Sequence, residues 1–281
     1  MWGGLTIGAV GATLGVAVVV GLRATGVLNL AVGSLYVLGA LAFHGLTAAG
    51  LGVVVALALS VAGGGAAGLI EEVVVLRPLR REHVSLQMLA TIAFAVIVQG
   101  ALIVTVGRDL VSAPSLITGT HRFGTTFVSW NQVLLVGTAV AVGIGAQVRA
   151  SWSRAGLRAA AVSDDREAAE MIGIDVDRLR RWQFVAVGAL CAFTGVLGVP
   201  LILVDVNSGL SLAIAAFVAA VVGGGRRPVG ALVGGLAVGV IESFGARMFS
   251  NAIAQGITAA VLIVLVVAAS RLPAFRPAGE R

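Results

Sequence analysis

Apolar residues run along this chain in long blocks, separated by short polar clusters rich in Arg. The blocks cover roughly 3–22, 29–45, 51–70, 86–106, 132–149, 183–204, 209–225, 229–246 and 251–270. Each comes close to the ~20 residues that a helix needs to cross a bilayer core. The pattern predicts an all-α polytopic membrane protein with about 8–9 transmembrane helices. Residues 1–270 form one transmembrane domain on this reading, and 271–281 form a short polar tail. The first block lacks a basic flank and is too long for a cleaved signal, so it is expected to stay as a span.

The second and seventh blocks are short, and each starts at an Asn beside small residues. Asn29 stands in "GVLNLAVGS" and Asn207 in "VDVNSGLS". Two such starts fit broken or re-entrant segments, and their opposite sidedness fits an inverted repeat. They fit equally well two Asn residues that merely cap helices. Among polar residues inside spans, the acids Asp205 and Glu242 lie near outer ends, and no carboxylate is expected at mid-depth.

Composition places the chain firmly in the membrane class. Of 281 residues, 58% are hydrophobic and only 11% charged, too few charges to cover a water-facing surface. All 19 basic residues are Arg, so a Walker A phosphate loop and any Schiff-base chemistry are excluded. Cys191 is the sole cysteine, which excludes an internal disulfide and a thiolate metal cage. His44, His83 and His121 are far apart, and no catalytic motif appears. The expectation is a chain that is not an enzyme, with no catalytic residue, no metal and no cofactor.

The net charge of +6 is explained by topology rather than by nucleic acid. With loop 150–182 in the cytoplasm, alternation leaves only Arg108, Arg122 and Arg247 outside. The N-terminus then faces outside and the C-terminus the cytoplasm. The outside loop 107–131 is polar, with room for a short interfacial helix. Glycine recurs at small-xxx-small spacing, as in Gly4 and Gly8, Gly11 and Gly15, Gly230 and Gly234, and Gly235 and Gly239. Such faces let helix backbones approach closely in lipid.

Loop 150–182 is the largest extramembrane piece. From Gly156 to Gly173 it reads "GLRAAAVSDDREAAEMIG", with Leu157, Ala160, Ala161, Ala168, Ala169 and Ile172 at helical spacing. One short helix is expected, closed by Gly173 as a left-handed cap. Its small-residue face leaves room for a partner to close on the backbone, and a plain linker helix is the alternative.

These residues carry a resemblance. Glu167, Ala168, Ala169 and Gly173 match the Glu-Ala-Ala and Gly of the coupling loop in ABC importer permeases. Further blocks resemble the permease subunits of branched-chain amino acid ABC transporters, LivH type: "NLAVGSLYVLGA" (29–40), "VLRPLR" (75–80), "LATIAFAVIVQ" (89–99), "DREAAEMIGIDVDR" (165–178), "GGGRRPVGALVGG" (223–235) and "GVIES" (239–243). Their order is kept over nearly the whole chain. The chain departs at Val32 and Ser34, where the family carries His and Glu, at Ala160, where an Arg opens the coupling helix, and at Arg226, where a Gly is usual.

The resemblance implies a permease subunit of an ABC importer in a bacterial inner membrane. It implies a path for a small polar solute, most readily a branched-chain or related amino acid. Its partners would be two ABC ATPase subunits, a second permease (a paralogue or itself) and an extracytoplasmic solute-binding protein, with the lipid bilayer around them. Asn29, Tyr36, Thr91 and Asn207 are the candidate pathway residues. Asp165, Glu167, Ala168, Ala169 and Gly173 are the candidate ATPase-coupling residues. An ion-coupled secondary transporter is the rival class; it would have no need of a docking loop.

Overall fold

The computed structural model describes residues 2–107, 110–115, 119–123, 126–225 and 227–248. The span expected at 251–270 and the tail 271–281 lie outside the described residues. The rest is helical: α1 (Trp2–Thr25), α2 (Val32–Ala48), α3 (Val53–Ile70), α4 (Val84–Val106), α5 (Trp130–Trp152), α6 (Arg154–Asp164), α7 (Arg166–Met171), α8 (Val176–Gly198), α9 (Ser208–Val222) and α10 (Pro228–Met248). α3 runs on into a π-helical stretch, Glu71–Leu76. Among the described residues, five helical stretches are long and apolar enough to cross a membrane: Gly3–Arg23, Val53–Leu76, Val84–Val106, Trp130–Trp152 and Val176–Gly198. Val32–Ala48, Ser208–Val222 and Pro228–Phe244 are shorter apolar helices.

α1 and α8 form the centre of the bundle. Most of each span is buried, whereas α3, α4 and α5 expose apolar faces such as Val54, Ile97 and Val104. Lipid is as apolar as these side chains, so burying them gains little, and close packing of small residues holds the helices together. Added methyl groups would show how close. One on Gly68 would strike the Phe184 carbonyl, and one on Gly188 the Gly64 carbonyl, which defines the α3–α8 seam. Gly4, Gly8, Gly235 and Gly239 line the α1–α10 seam, and Gly15 meets Ala216 and Ala219 of α9. Gly11 is the exception among the spaced pairs, because nothing stands within 4 Å of its added methyl.

Three local expectations are corrected. Loop 107–131 carries, among its described residues, a hairpin rather than a helix: β1 (Thr120–Phe123) pairs antiparallel with β2 (Thr126–Ser129). Thr and Phe suit a strand better than a helix, and Ser129 then starts α5 through a capping box with Gln132. The block expected at 183–204 is shifted, since α8 begins at Val176, where the Asp175 side chain accepts from Arg178 N at 2.9 Å. The single helix expected from 156 to 173 is split into α6 and α7. Asp165 is extended between them (φ −153°, ψ 109°), and its carboxylate caps α7 by accepting from Ala168 N at 3.0 Å.

Candidate functional site

The chain turns out of helix between α1 and α2. Gly26 holds a left-handed conformation there (φ +70°), and the run continues to Ala31. Buried backbone in such a run needs partners for its polar groups. Asn29, 1% exposed, supplies one: its Oδ1 accepts from Ala31 N at 2.7 Å. Thr91 of α4, fully buried, supplies another by accepting from Leu30 N at 3.2 Å, while its hydroxyl donates to Met88 O at 2.8 Å. Tyr36 lies about one turn into α2, buried against α8 beside Gly195 and Gly198.

A second non-helical run joins α8 to α9. Asn207 precedes α9 without making a side-chain cap bond to it. Its Oδ1 instead accepts from Gln99 Nε2 of α4 at 2.9 Å, and the residue is exposed. Thr91 and Gln99 stand about 12 Å apart along α4, so one helix touches both breaks. The starts of α2 and α9 also meet each other. A methyl on Gly33 would strike the Gly209 carbonyl, and one on Gly209 would sit 2.9 Å from Ser34 Oγ. The structure thus gathers Asn29 and Thr91 on one break, sets Asn207 on the other, and brings the two helix starts into contact, with Tyr36 to one side.

Two acids lie just beyond the apolar block 51–70, where α3 runs on toward α4. Glu71 and Glu72 are both fully buried in the π-helical stretch. Glu72 Oε1 receives Arg80 Nη2 at 2.5 Å and lies 3.1 Å from Arg180 Nε. Arg80 also binds Asp177, and Arg77 Nη2 lies 3.7 Å from Asp177 Oδ2. Glu71 Oε2 accepts from Asn29 Nδ2 at 3.1 Å. These acids follow an apolar run and precede "LRPLR", so they look like headgroup charges until Arg180 is brought in by α8.

The residues singled out in loop 150–182 sit on α7 and at its two ends. Ala169 is buried against Val162 and Val176, with Ile174 and Leu179 packed around them. Ala168 is exposed, and Glu167 lies on α7 with its side chain outside the described ones. Gly173 (φ +82°) ends α7: its N–H bonds Glu170 O at 3.0 Å, and Ile174 N bonds Ala169 O at 3.1 Å. That 6→1 and 5→2 pair is a Schellman cap, which only a residue tolerant of positive φ completes without strain. Leu157, Met171, Ile172 and Trp182 stay 57%, 82%, 75% and 63% exposed around it. Among the described residues no cluster of His, Cys, Asp and Glu could hold a metal ion.

Comparison with known proteins agrees over almost the full length. The sequence model of the family described as "Branched-chain amino acid transport system / permease component" matches residues 2–267. The chain is 28% identical to the high-affinity branched-chain amino acid transport system permease protein BraD of Pseudomonas aeruginosa, over 98% of this chain and 92% of that one. It is 26% identical to the corresponding protein LivH of Escherichia coli K12, over 95% and 92%. It is 29% identical to a probable ABC transporter permease protein, y4mJ, of Sinorhizobium fredii, over 92% and 77%.

Proposed function

Because the chain belongs to the family of branched-chain amino acid transport system permease components, we propose that it is the membrane-spanning permease subunit of an ABC importer. It provides the path for a small polar solute, with branched-chain or related amino acids the substrate class. ATP is hydrolysed on separate subunits, consistent with a chain that has no Lys for a phosphate loop. The observation that carries the reading is the α6–α7 unit: α6 packs on the ends of α1 and α5, and capped α7 builds a small core on it with Leu157, Met171 and Ile172 left exposed. An ion-coupled secondary transporter has no use for such a surface, and the family match runs against it.

On this reading α7 seats in a groove of the ATPase. Asp165 and Gly173 set its two ends, and Ala168 presents the face that the partner closes on; Glu167 belongs to the same turn. Two ATPase subunits serve a pair of permeases, and a solute-binding protein delivers from the side of loop 107–131. The chain sits in a bacterial inner membrane with its N-terminus outside and its C-terminus in the cytoplasm. It has eight or nine spans, with α2 and α9 as broken elements of an inverted repeat. Asn29, Tyr36, Thr91 and Asn207 border the path. The contact between the starts of α2 and α9 supports that assignment, because non-helical backbone at membrane depth is tolerated where protein or a water-filled cavity satisfies it.

The test is co-purification. The chain is expressed with its neighbouring genes and captured by a C-terminal tag, as wild type and with Ala168→Pro plus Ala169→Pro. An ATPase is expected with wild type and is lost from the variant, since proline inside α7 removes backbone donors and breaks the helix. A folded, monodisperse chain that brings down no ATPase would overturn the proposal.

A further inference from the structure

Buried charge in a membrane span is expensive, and a buried ion pair is weak evidence for stability, because well-packed apolar side chains often serve as well. The Glu72 cluster therefore needs another reason. Its members come from three separate places in the chain. Glu71 and Glu72 end α3, Arg77 and Arg80 follow in the turn before α4, and Asp177 and Arg180 open α8.

The first turns of α8 face two ways. Val176 and Leu179 pack into the small core that holds Val162 of α6 and Ala169 of α7. Asp177 and Arg180, at the neighbouring positions with the same spacing, bind Arg80 and Glu72. Arg180 is only 3% exposed and Glu72 is fully buried, so water cannot loosen this joint. Whatever moves α7 must therefore move the start of α8, and with it Glu72.

The next link is covalent. Glu71 precedes Glu72 in the π-helical stretch, where Arg77 N reaches back to Glu72 O at 2.7 Å. A π turn is wider than an α turn and recurs at functional positions in helices. Glu71 Oε2 takes the Asn29 amide at 3.1 Å, and Asn29 Oδ1 takes Ala31 N at 2.7 Å, immediately before α2 begins. Here the connection narrows. Glu72 has two cations, whereas Glu71 has one neutral donor and its Oε1 has no hydrogen-bond partner among the described residues.

From this geometry we infer that Glu72 and Arg180 are positioning residues for transport. They form a rigid relay that carries movement of the α6–α7 unit, through Glu71 and Asn29, to the broken start of α2. The inference rests on the importer reading above. The relay ends where α2 meets α9 at Gly33 and Gly209, so a shift there changes both helix starts together. The rigid part is the double ion pair on Glu72; the yielding part is the single bond from Asn29 to Glu71. Neither Glu72 nor Arg180 needs to touch solute.

The experiment uses the intact complex in proteoliposomes, with solute uptake and ATP hydrolysis measured on the same preparation. Three variants are compared with wild type: Glu72→Gln, which keeps the volume and removes the charge, Arg180→Lys, which keeps the charge and removes the planar fork, and Asn29→Ala. The expected result is an ATPase that co-purifies in wild-type amounts and hydrolyses ATP, while solute moved per ATP falls about five-fold or more in each variant. The double variant Glu72→Gln with Asn29→Ala should lose no more than the worse single one, because both cut the same chain of contacts. A merely structural cluster would lower assembly and leave uptake per ATP unchanged in whatever assembles. If Glu72→Gln fails to assemble, Arg180→Lys decides the matter, because Arg180 has no place on the solute path. Wild-type uptake per ATP in the variants that assemble would overturn the relay and leave the importer reading intact. A wild-type chain that recruits no ATPase would overturn the importer reading, and the relay with it.

Discussion

Thr91 is fully buried, and its hydroxyl is the acceptor for the Leu30 amide in the run between α1 and α2. Thr91→Val keeps the shape and removes that acceptor, so a buried N–H is left without a partner. The expected cost is about 1–3 kcal/mol, measured as a lower denaturation midpoint in detergent; an unchanged midpoint would show that the contact contributes nothing. Asn29 and Asn207 stand out in the sequence because each opens a short apolar run, a position that a plain helix cap would fill equally well. Tyr36 and Thr91 are candidates only through the family resemblance, and the structure gives the candidates different surroundings, with Tyr36 buried against α8 and Asn207 exposed beside Gln99. Glu71, Glu72 and Arg180 were not reached. Each stands among charges at the end of an apolar run, where the ordinary expectation is contact with headgroups and water. Their burial depends on partners from the far end of the chain.

At the scale of elements, the glycine seams separate positions that the spacing pattern treats alike. Gly68→Ala puts a methyl into the Phe184 carbonyl and should force α3 away from α8, at about 1–3 kcal/mol. Gly11→Ala meets open space and should leave stability unchanged or slightly raised through helix propensity. Thermal unfolding of the two variants in the same detergent checks the contrast, and equal midpoints would remove the seam from the account. The spans themselves were legible, since most predicted blocks coincide with observed helices within a few residues. The errors fall where one side chain settles a boundary. Asp175 starts α8 early, and Asp165 splits the coupling helix, because a carboxylate that accepts from a backbone N–H starts a helix even inside a helical pattern.

For the whole molecule, the orientation proposed from the Arg distribution is open to a direct check. Cys191, the sole cysteine, is fully buried, so the wild-type chain should be silent to a membrane-impermeant maleimide. Ser115→Cys and Ser163→Cys place thiols at exposed positions in the two largest loops. Position 115 should label in intact cells or spheroplasts and position 163 only after permeabilisation; the reverse pattern would invert the topology. Taken as a whole, the bundle is unequal. α1 and α8 are enclosed, whereas α3, α4 and α5 carry much of their apolar surface outward. Composition announces a membrane protein, but it does not say which span is central.

The sequence by itself determined the membrane class, the positions of most apolar helices, the helical turn closed by Gly173, and the family. These are local properties: a helix in lipid satisfies its own backbone hydrogen bonds and needs only enough apolar residues in a row. Tertiary structure alone decided which charges are buried, which glycines form seams, and that the starts of α2 and α9 touch. Those outcomes depend on segments far apart in the chain, such as Arg180 reaching Glu72 or Gly209 reaching Gly33. Hydrophobicity has no direction and records only that a residue leaves water; the partner it meets is set by how the helices cross.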